Sequence, residues 1–168
     1  MAGQLTDASI ILRLGYQAMR RANMPVEQIL GRAGVALNQV DARKRTPLSA
    51  QVAFWQAAEE VTGDPDVGLH LGEHLPLYRG QVIEYLFMSS GTFGEGLKRA
   101  LAYQRLISDA LNAQLVVDSK SCYLTNGRIE YSDTKVQRHF SECVVSGALR
   151  FFNFVTEGRF QVTCLDFN

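Results

Sequence analysis

The chain has 168 residues, with 17 lysines and arginines against 17 aspartates and glutamates. This length suits one domain, which can bury about 70% of the surface that the unfolded chain exposes. A protein that binds nucleic acid by itself usually has an excess of basic residues, because contacts to phosphates supply much of the affinity. The balanced charge therefore argues against a free-standing DNA-binding module.

We expect neither a signal peptide nor a membrane-spanning segment in this sequence. Its start lacks a basic stretch followed by an apolar one, and no apolar run approaches ~20 residues. The cysteines Cys122, Cys143 and Cys164 are odd in number and widely spaced. Because this pattern suits reduced thiols better than a disulfide framework, we expect a cytoplasmic protein without a membrane partner.

Capping and stop signals predict the first helices. Thr6 or Asp7 can cap a helix that runs to about Asn23, because short polar side chains accept hydrogen bonds from free amides at a helix start. Pro25 suits the first turn of a second helix, since the amide that proline lacks has no partner there. We expect this helix to end near Gly34.

The segment after the second helix resembles part of a helix-turn-helix unit. The run 33–35 (Ala-Gly-Val) is followed by the polar, basic segment 38–45. A recognition helix here would be cut short at Pro47, so we interpret 38–45 as an exposed connection. Thr46 or Ser49 is then expected to open a helix to about residue 62.

Three more helices follow from similar signals. Asp64 is predicted to cap a short helix that ends before Pro76, and residues 80–89 form the next one. Thr92 and Glu95 fit a capping box, in which each side chain bonds the backbone amide of the other residue. The helix behind them is predicted to run to about residue 111.

Apolar periodicity then changes from 3.6 to 2. Strands are predicted at 113–118, 121–125 and 128–132, with a tight turn at Asn126-Gly127. Asp133 can cap a long helix that ends at Gly158, and 160–167 is predicted to be a final strand.

This order of elements indicates an α+β fold, with a helical N-terminal two-thirds, a small antiparallel sheet, a long helix and a last strand. Since nothing in the composition divides the chain, we expect residues 1–168 to form a single domain. A chain that stops on a predicted strand also suggests a piece cut from a longer protein.

The run 70–74 matches H-x-x-E-H, the inverted signature of zinc hydrolases. On a helix, His70 and His74 would be the metal ligands, and Glu73 would act as the base for a bound water. Gly72 weakens the helix within the motif, and Pro76 ends it soon afterwards. A zinc-dependent hydrolase is therefore the alternative hypothesis, and we favour a structural role for these side chains.

Aromatic side chains with nearby arginines indicate where a small ligand could bind, because such sites combine apolar walls with a few polar anchors. The predicted ligand-binding residues are Trp55, Tyr85, Phe87, Met88, Tyr103 and Arg105. No Ser/His/Asp pattern or nucleophile elbow is present, so we do not expect an enzyme, a cofactor or a catalytic residue.

Two runs, 64–76 and 80–106, resemble the N-terminal, arabinose-binding-domain-like sensor of AraC-family bacterial transcription regulators. The residues that carry this resemblance are Gly68, Leu69, Gly72, Glu73, Leu75, Pro76, Ser89, Ser90, Thr92, Gly94, Glu95, Leu97 and Tyr103. In that family the run around His70 is not a metal site. The resemblance extends through 21–35 and the late hairpin and helix, so it covers nearly the whole chain.

The resemblance implies a non-enzymatic, cytoplasmic sensor and dimerisation domain that couples a small-molecule effector to gene regulation. DNA would be bound by a C-terminal helix-turn-helix domain absent from this chain, which itself has no DNA-binding residue. A homodimer is expected. The apolar stripe of the long helix is our predicted dimer interface, with Phe140, Val144, Phe151, Phe152 and Val155.

Overall fold

The computed structural model describes residues 5–40, 44–77, 80–126 and 134–166. Its helices are α1 (Ser9–Arg21), α2 (Val26–Arg32), α3 (Leu37–Val40), α4 (Ser49–Thr62), α5 (Val67–Glu73), α6 (Val82–Met88), α7 (Phe93–Ala102) and α8 (Thr134–Val155). Its strands are β1 (Thr6–Asp7), β2 (Thr46–Pro47), β3 (Ala113–Val117) and β4 (Cys122–Asn126). The α+β prediction, with the helical part first, is confirmed.

The strands of the described residues pair as two small antiparallel sheets. β1 pairs with β2, so that Asp7 lies opposite Thr46. β3 pairs with β4 over five residue pairs, which confirms the strands predicted at 113–118 and 121–125. The predicted turn glycine, the strand 128–132 and the cap at Asp133 lie outside the described residues.

The main core is built around the contact between α5 and α8, and α1, α2 and α4 complete it. Gly68 and Gly72 allow this contact. A Cβ atom on Gly72 would lie 2.6 Å from the Ser146 Cβ and 2.8 Å from the Cys143 carbonyl oxygen, and one on Gly68 would overlap the backbone of His139. The glycine that weakens the H-x-x-E-H helix is therefore required by packing.

A second cluster, here called the aromatic cluster, joins α6 and α7 to the C-terminal part of α8. Its buried members are Phe87, Leu97 and Phe151, and Phe93 and Phe152 pack against them. Phe87 lies at its centre, with ring centroids 5.2 Å from Phe93 and 5.6 Å from Phe151. A Cβ atom on Gly96 would lie 2.6 Å from the Phe87 carbonyl oxygen, so this contact also depends on a glycine.

The predicted start of the first helix is wrong. Its N-cap is Ala8, while Asp7 belongs to β1 and is buried. Thr46 likewise lies in β2 and does not begin a helix, because α4 starts at Ser49. Pairing between these distant segments overrides the local capping preference of both residues.

Three other features differ from the prediction: the exposure of one segment, the cap of α5 and the end of α7. The segment 38–45 is not wholly exposed, because α3 buries Val40 in the main core. Asp64 is not the cap of α5; its carboxylate accepts a hydrogen bond from the amide of Asp66, which holds that position. The helix predicted to run to residue 111 ends at Ala102.

The early end of α7 has a tertiary cause. The Gln104 side chain accepts a hydrogen bond from the Ala113 amide at 2.7 Å and donates one to the Ala113 carbonyl at 3.0 Å. The backbone of Ser108 then pairs with that of Asp7 in an isolated antiparallel β-bridge. The segment predicted to be the last turns of a helix therefore joins β1 and begins the path to β3.

The predicted final strand is also wrong for the residues that the structure describes, because 160–166 contain no strand. Phe160 instead packs into the aromatic cluster, with its ring centroid 5.3 Å from Phe93 and 5.2 Å from Phe152. α8 ends near Gly158, as predicted, and the Gly158 amide donates a hydrogen bond to the Asn153 carbonyl at 2.8 Å.

Candidate ligand-binding cavity

A cavity of about 240 Å³ lies within the main core. Its wall is mainly apolar and is formed by side chains from α1, α4, α5 and α8, among them Ile11, Leu14, Phe54, Trp55, Leu71 and Phe140. Two strongly polar side chains, Asp7 and Gln51, also line it. An apolar space with a few polar groups is the usual composition of a small-molecule site.

Asp7 and Gln51 are buried without their full set of hydrogen bonds. The exposed fraction is 1% for Asp7 and 7% for Gln51. In the described part of the chain, neither carboxylate oxygen of Asp7 accepts a hydrogen bond of normal geometry, and the Gln51 Nε2 donates none. The Gln51 Oε1 is occupied, because it accepts a bond from the Trp55 Nε1 at 3.1 Å. Such buried, unpaired polar atoms are uncommon in folded proteins and call for a reason.

Burial raises the pKa of Asp7 above its ordinary value of 3.8. The side chains of Ser108 and Gln51 and the positive charge of Arg45 act in the opposite direction, whereas the charge of Asp109 adds to the increase. The charged form is disfavoured because the loss of hydration on burial outweighs the stabilisation that these neighbouring groups provide.

The position of Asp7 is fixed by the backbone around it. β1 pairs with β2 on one side, and on the other the Ala8 amide donates a hydrogen bond to the Ile107 carbonyl at 2.7 Å. The neighbouring Thr6 donates to Asp109 through both its amide, at 3.0 Å, and its hydroxyl, at 2.7 Å. The backbone of Asp7 is thus fixed at the wall of the cavity.

Trp55 connects the cavity to a polar pair at the outer side of α4. The His139 ring stacks on Trp55 at a centroid distance of 6.0 Å, and its Nε2 lies 3.0 Å from the Glu59 Oε2. Glu59 also pairs with Lys135 at 3.0 Å. Hydrogen bonds from His139 and then Lys135 lower the pKa of Glu59. His139 is thus engaged with Glu59.

Comparison with protein families identifies the chain. The model of the N-terminal arabinose-binding domain of AraC transcription regulators matches residues 24–168. The chain belongs to this family. It is the ligand-sensing domain of a regulator, and the predicted resemblance is confirmed. No curated protein matches the chain. Asp7 precedes the matched residues, so the family match does not cover it.

The predicted ligand-binding residues of this sensor domain do not surround one cavity. Trp55 lines the cavity, and Phe87 lies in the aromatic cluster. The exposed fractions of Tyr85, Met88 and Tyr103 are 58%, 53% and 53%, and Arg105 is exposed as well. The structure thus places one of the six at the cavity, and ligand binding by the others stays a prediction.

The predicted dimer residues of the sensor domain pack within the chain. Phe140 and Val144 line the cavity, while Phe151, Phe152 and Val155 belong to the aromatic cluster. Phe140 is 4% and Phe151 9% exposed, which leaves them little surface for a partner. Their role in dimerisation stays a prediction.

The residues of the H-x-x-E-H motif lie at the surface around the end of α5. His70 Nδ1 lies 2.6 Å from the Asp64 Oδ2, and this hydrogen bond raises the pKa of His70. Glu73 is the last residue of α5, and His74 follows it as the C-cap. Among the described residues, no three His, Cys, Asp or Glu side chains form a group that could hold a metal ion.

Sequence reasoning missed Asp7 and Gln51. Asp7 looks like a helix cap, and Gln51 lies in an amphipathic helix where a glutamine gives no signal of burial.

In the part of the chain that the structure describes, no helix combines the length and apolar character that crossing a membrane requires.

Proposed function

We propose that the cavity is the effector site of a cytoplasmic AraC-type regulator, which acts by binding and not by catalysis. The observation that carries this proposal is a set of buried polar atoms without hydrogen bonds of normal geometry among the described residues, the two carboxylate oxygens of Asp7 and the Nε2 of Gln51, in an otherwise apolar cavity. An unsatisfied buried polar group costs about 1–3 kcal/mol. A ligand that bonds to both groups would recover this free energy on binding.

The size of the cavity favours a compact effector. An apolar cavity of about 150 Å³ holds benzene in another protein, so about 240 Å³ leaves room for a small ring with one or two substituents. A pentose, with several hydroxyl groups, is a poor match, because few polar side chains line this wall. The sugar in the family description therefore does not form part of the proposal for this chain.

Coupling to gene regulation is proposed to pass through α8. Phe140 and Val144 of this helix line the cavity, and its next turns carry Phe151 and Phe152 of the aromatic cluster. Phe154 on the same helix is 54% exposed and offers a contact for a second copy. An effector that prefers one position of α8 would shift the dimer and the DNA-binding population by its differential affinity.

A cavity-filling variant tests the proposal. A panel of compact organic compounds is screened for an increase in melting temperature of the chain, and each hit is repeated with Ala148→Leu, whose new side chain enters the cavity. Ala102→Leu, at the exposed end of α7, is the matched control. We expect hits that disappear in Ala148→Leu and persist in Ala102→Leu.

The same hits are then tested in the full-length regulator with a transcription reporter. An effector should change reporter output in the wild-type regulator and in Ala102→Leu but not in Ala148→Leu. If compounds stabilise Ala148→Leu as strongly as the wild type, the cavity is not the binding site and the proposal fails.

A further inference from the structure

Asp7 constrains the chemistry of a ligand more strongly than the rest of the cavity does. It is a carboxyl group, 1% exposed, whose oxygens have no hydrogen-bond partner in the described part of the chain. Arg45 is near, but its side chain bonds to other groups: Nε donates to the Thr6 hydroxyl and Nη2 to the Thr6 carbonyl, both at 2.7 Å, and Nη2 lies 3.1 Å from Asp109. The side chains of Ser108 and Gln51 also lie beside the carboxylate and lower its pKa, but within the described residues no hydrogen bond of normal geometry joins either of them to an Asp7 oxygen. These oxygens can therefore accept hydrogen bonds from a ligand in the cavity.

A cationic group fits this position best. A buried carboxylate is stabilised by a partner that supplies both hydrogen-bond donors and opposite charge. The aromatic rings of Phe54, Trp55 and Phe140 line the same cavity, and the faces of aromatic rings attract cations. An anionic ligand would meet the Asp7 charge, and a neutral hydroxyl would leave that charge without compensation.

We propose that the cavity binds a compact primary amine as its ammonium ion, carried on an apolar body about the size of a benzyl group. The ammonium donates hydrogen bonds to Asp7, and the apolar body packs against Phe54 and Trp55. This assignment rests on the proposed function, because it names the ligand class of the same cavity.

Matched probes test the ligand class. Benzylamine and benzyl alcohol have nearly the same shape, but only the amine is charged at neutral pH. Binding to the purified chain is measured by titration calorimetry. We expect the amine to bind roughly tenfold or more tightly than the alcohol, since charge-assisted hydrogen bonds are the stronger ones. Asp7→Asn should abolish this preference, and Asp118→Asn, the same charge change in the exposed turn between β3 and β4, should keep it.

The wild-type chain provides a second measurement that needs no variant to fold. Amine binding should weaken as the pH falls through the raised pKa of Asp7, because protonation removes the negative charge, while alcohol binding should not. The charged groups that act on Asp7 are Arg45, which lowers its pKa, and Asp109, which raises it.

The results separate the ligand class from the proposed function. If the alcohol binds as tightly as the amine, if the preference survives in Asp7→Asn, or if neither benzylamine nor 2-phenylethylamine binds, the ammonium assignment is overturned. The proposal that the cavity is the effector site is overturned as well only if the bound probes retain their affinity in Ala148→Leu. Probes lost in Ala148→Leu but indifferent to Asp7 leave the cavity as the sensor site.

Discussion

The two hydrophobic clusters of the domain have different characters. The aromatic cluster packs rings against rings, with successive centroids 5.1–5.9 Å apart around Phe87, Phe93 and Phe152. The main core contains a cavity of about 240 Å³ and the unpaired polar atoms of Asp7, Gln51 and His139. Close packing stabilises a fold, whereas cavities and unpaired polar groups reduce stability. The comparison indicates that the aromatic cluster is closely packed, whereas the main core contains a costly space, which we propose is the effector site.

Phe87→Ala should give the largest effect, because it removes the central ring of the aromatic cluster. We expect a loss of about 3–5 kcal/mol in the free energy of unfolding, measured by urea denaturation. Val82→Ala on the same helix, where the side chain is 62% exposed, should change stability by less than about 0.5 kcal/mol. A loss from Phe87→Ala as small as that of the control would show that this cluster does not stabilise the domain.

Gly72→Ala tests the contact between α5 and α8 in the main core. The added methyl group would lie 2.6 Å from the Ser146 Cβ, so we expect overpacking to destabilise the domain by about 1–3 kcal/mol. Gly31→Ala is the matched control, because nothing lies within 4 Å of a Cβ atom there. Because alanine has a higher helix propensity than glycine, Gly31→Ala should stabilise α2 by up to about 1 kcal/mol. If thermal denaturation shows that both variants change the stability in the same direction, the close approach of α5 and α8 at Gly72 is contradicted.

Asp7→Asn should stabilise the free domain by about 1 kcal/mol near neutral pH, since it removes a buried charge whose loss of hydration outweighs the stabilisation from its neighbours. The pKa of Asp7 is raised in the folded state, so the folded protein holds this proton more firmly than the unfolded chain does. The destabilisation by Asp7 is thus complete above the folded pKa and disappears as the pH falls below the ordinary value of 3.8.

Urea denaturation of the wild type and Asp7→Asn over this pH range measures the effect. The stability difference between them should shrink towards acid pH. Asp118→Asn should show the opposite sign, because hydrogen bonds from Lys120 and Ser121 lower the pKa of Asp118. A wild type that is more stable than Asp7→Asn at neutral pH would mean that the charge of Asp7 is already compensated in the free protein.

Signals between residues near in sequence predicted much of the secondary structure. Gly63 adopts a φ of +65° after α4, as expected of a glycine at a helix end. The Thr92 hydroxyl accepts the Glu95 amide at 3.3 Å. This bond is one half of the capping box predicted there. A box with both of its bonds occurs one helix earlier, at Gln81 and Glu84. Caps and periodicity work here because their partners are only a few residues apart.

Tertiary structure decided the features that depend on distant partners. Asp7 could cap a helix, but pairing with Thr46 and the bridge to Ser108 bury it in the cavity wall. Residues 160–166 alternate like a strand, yet Phe160 packs with Phe93 and Phe152 in place of strand pairing.

The sequence by itself therefore determined the family, the α+β class and most helices, because runs of nearby residues carry that information. The cavity and its polar groups were decided by packing. Whether a side chain such as Asp7 or Gln51 finds a hydrogen-bond partner depends on the segments that fold against it, and no local pattern records their approach.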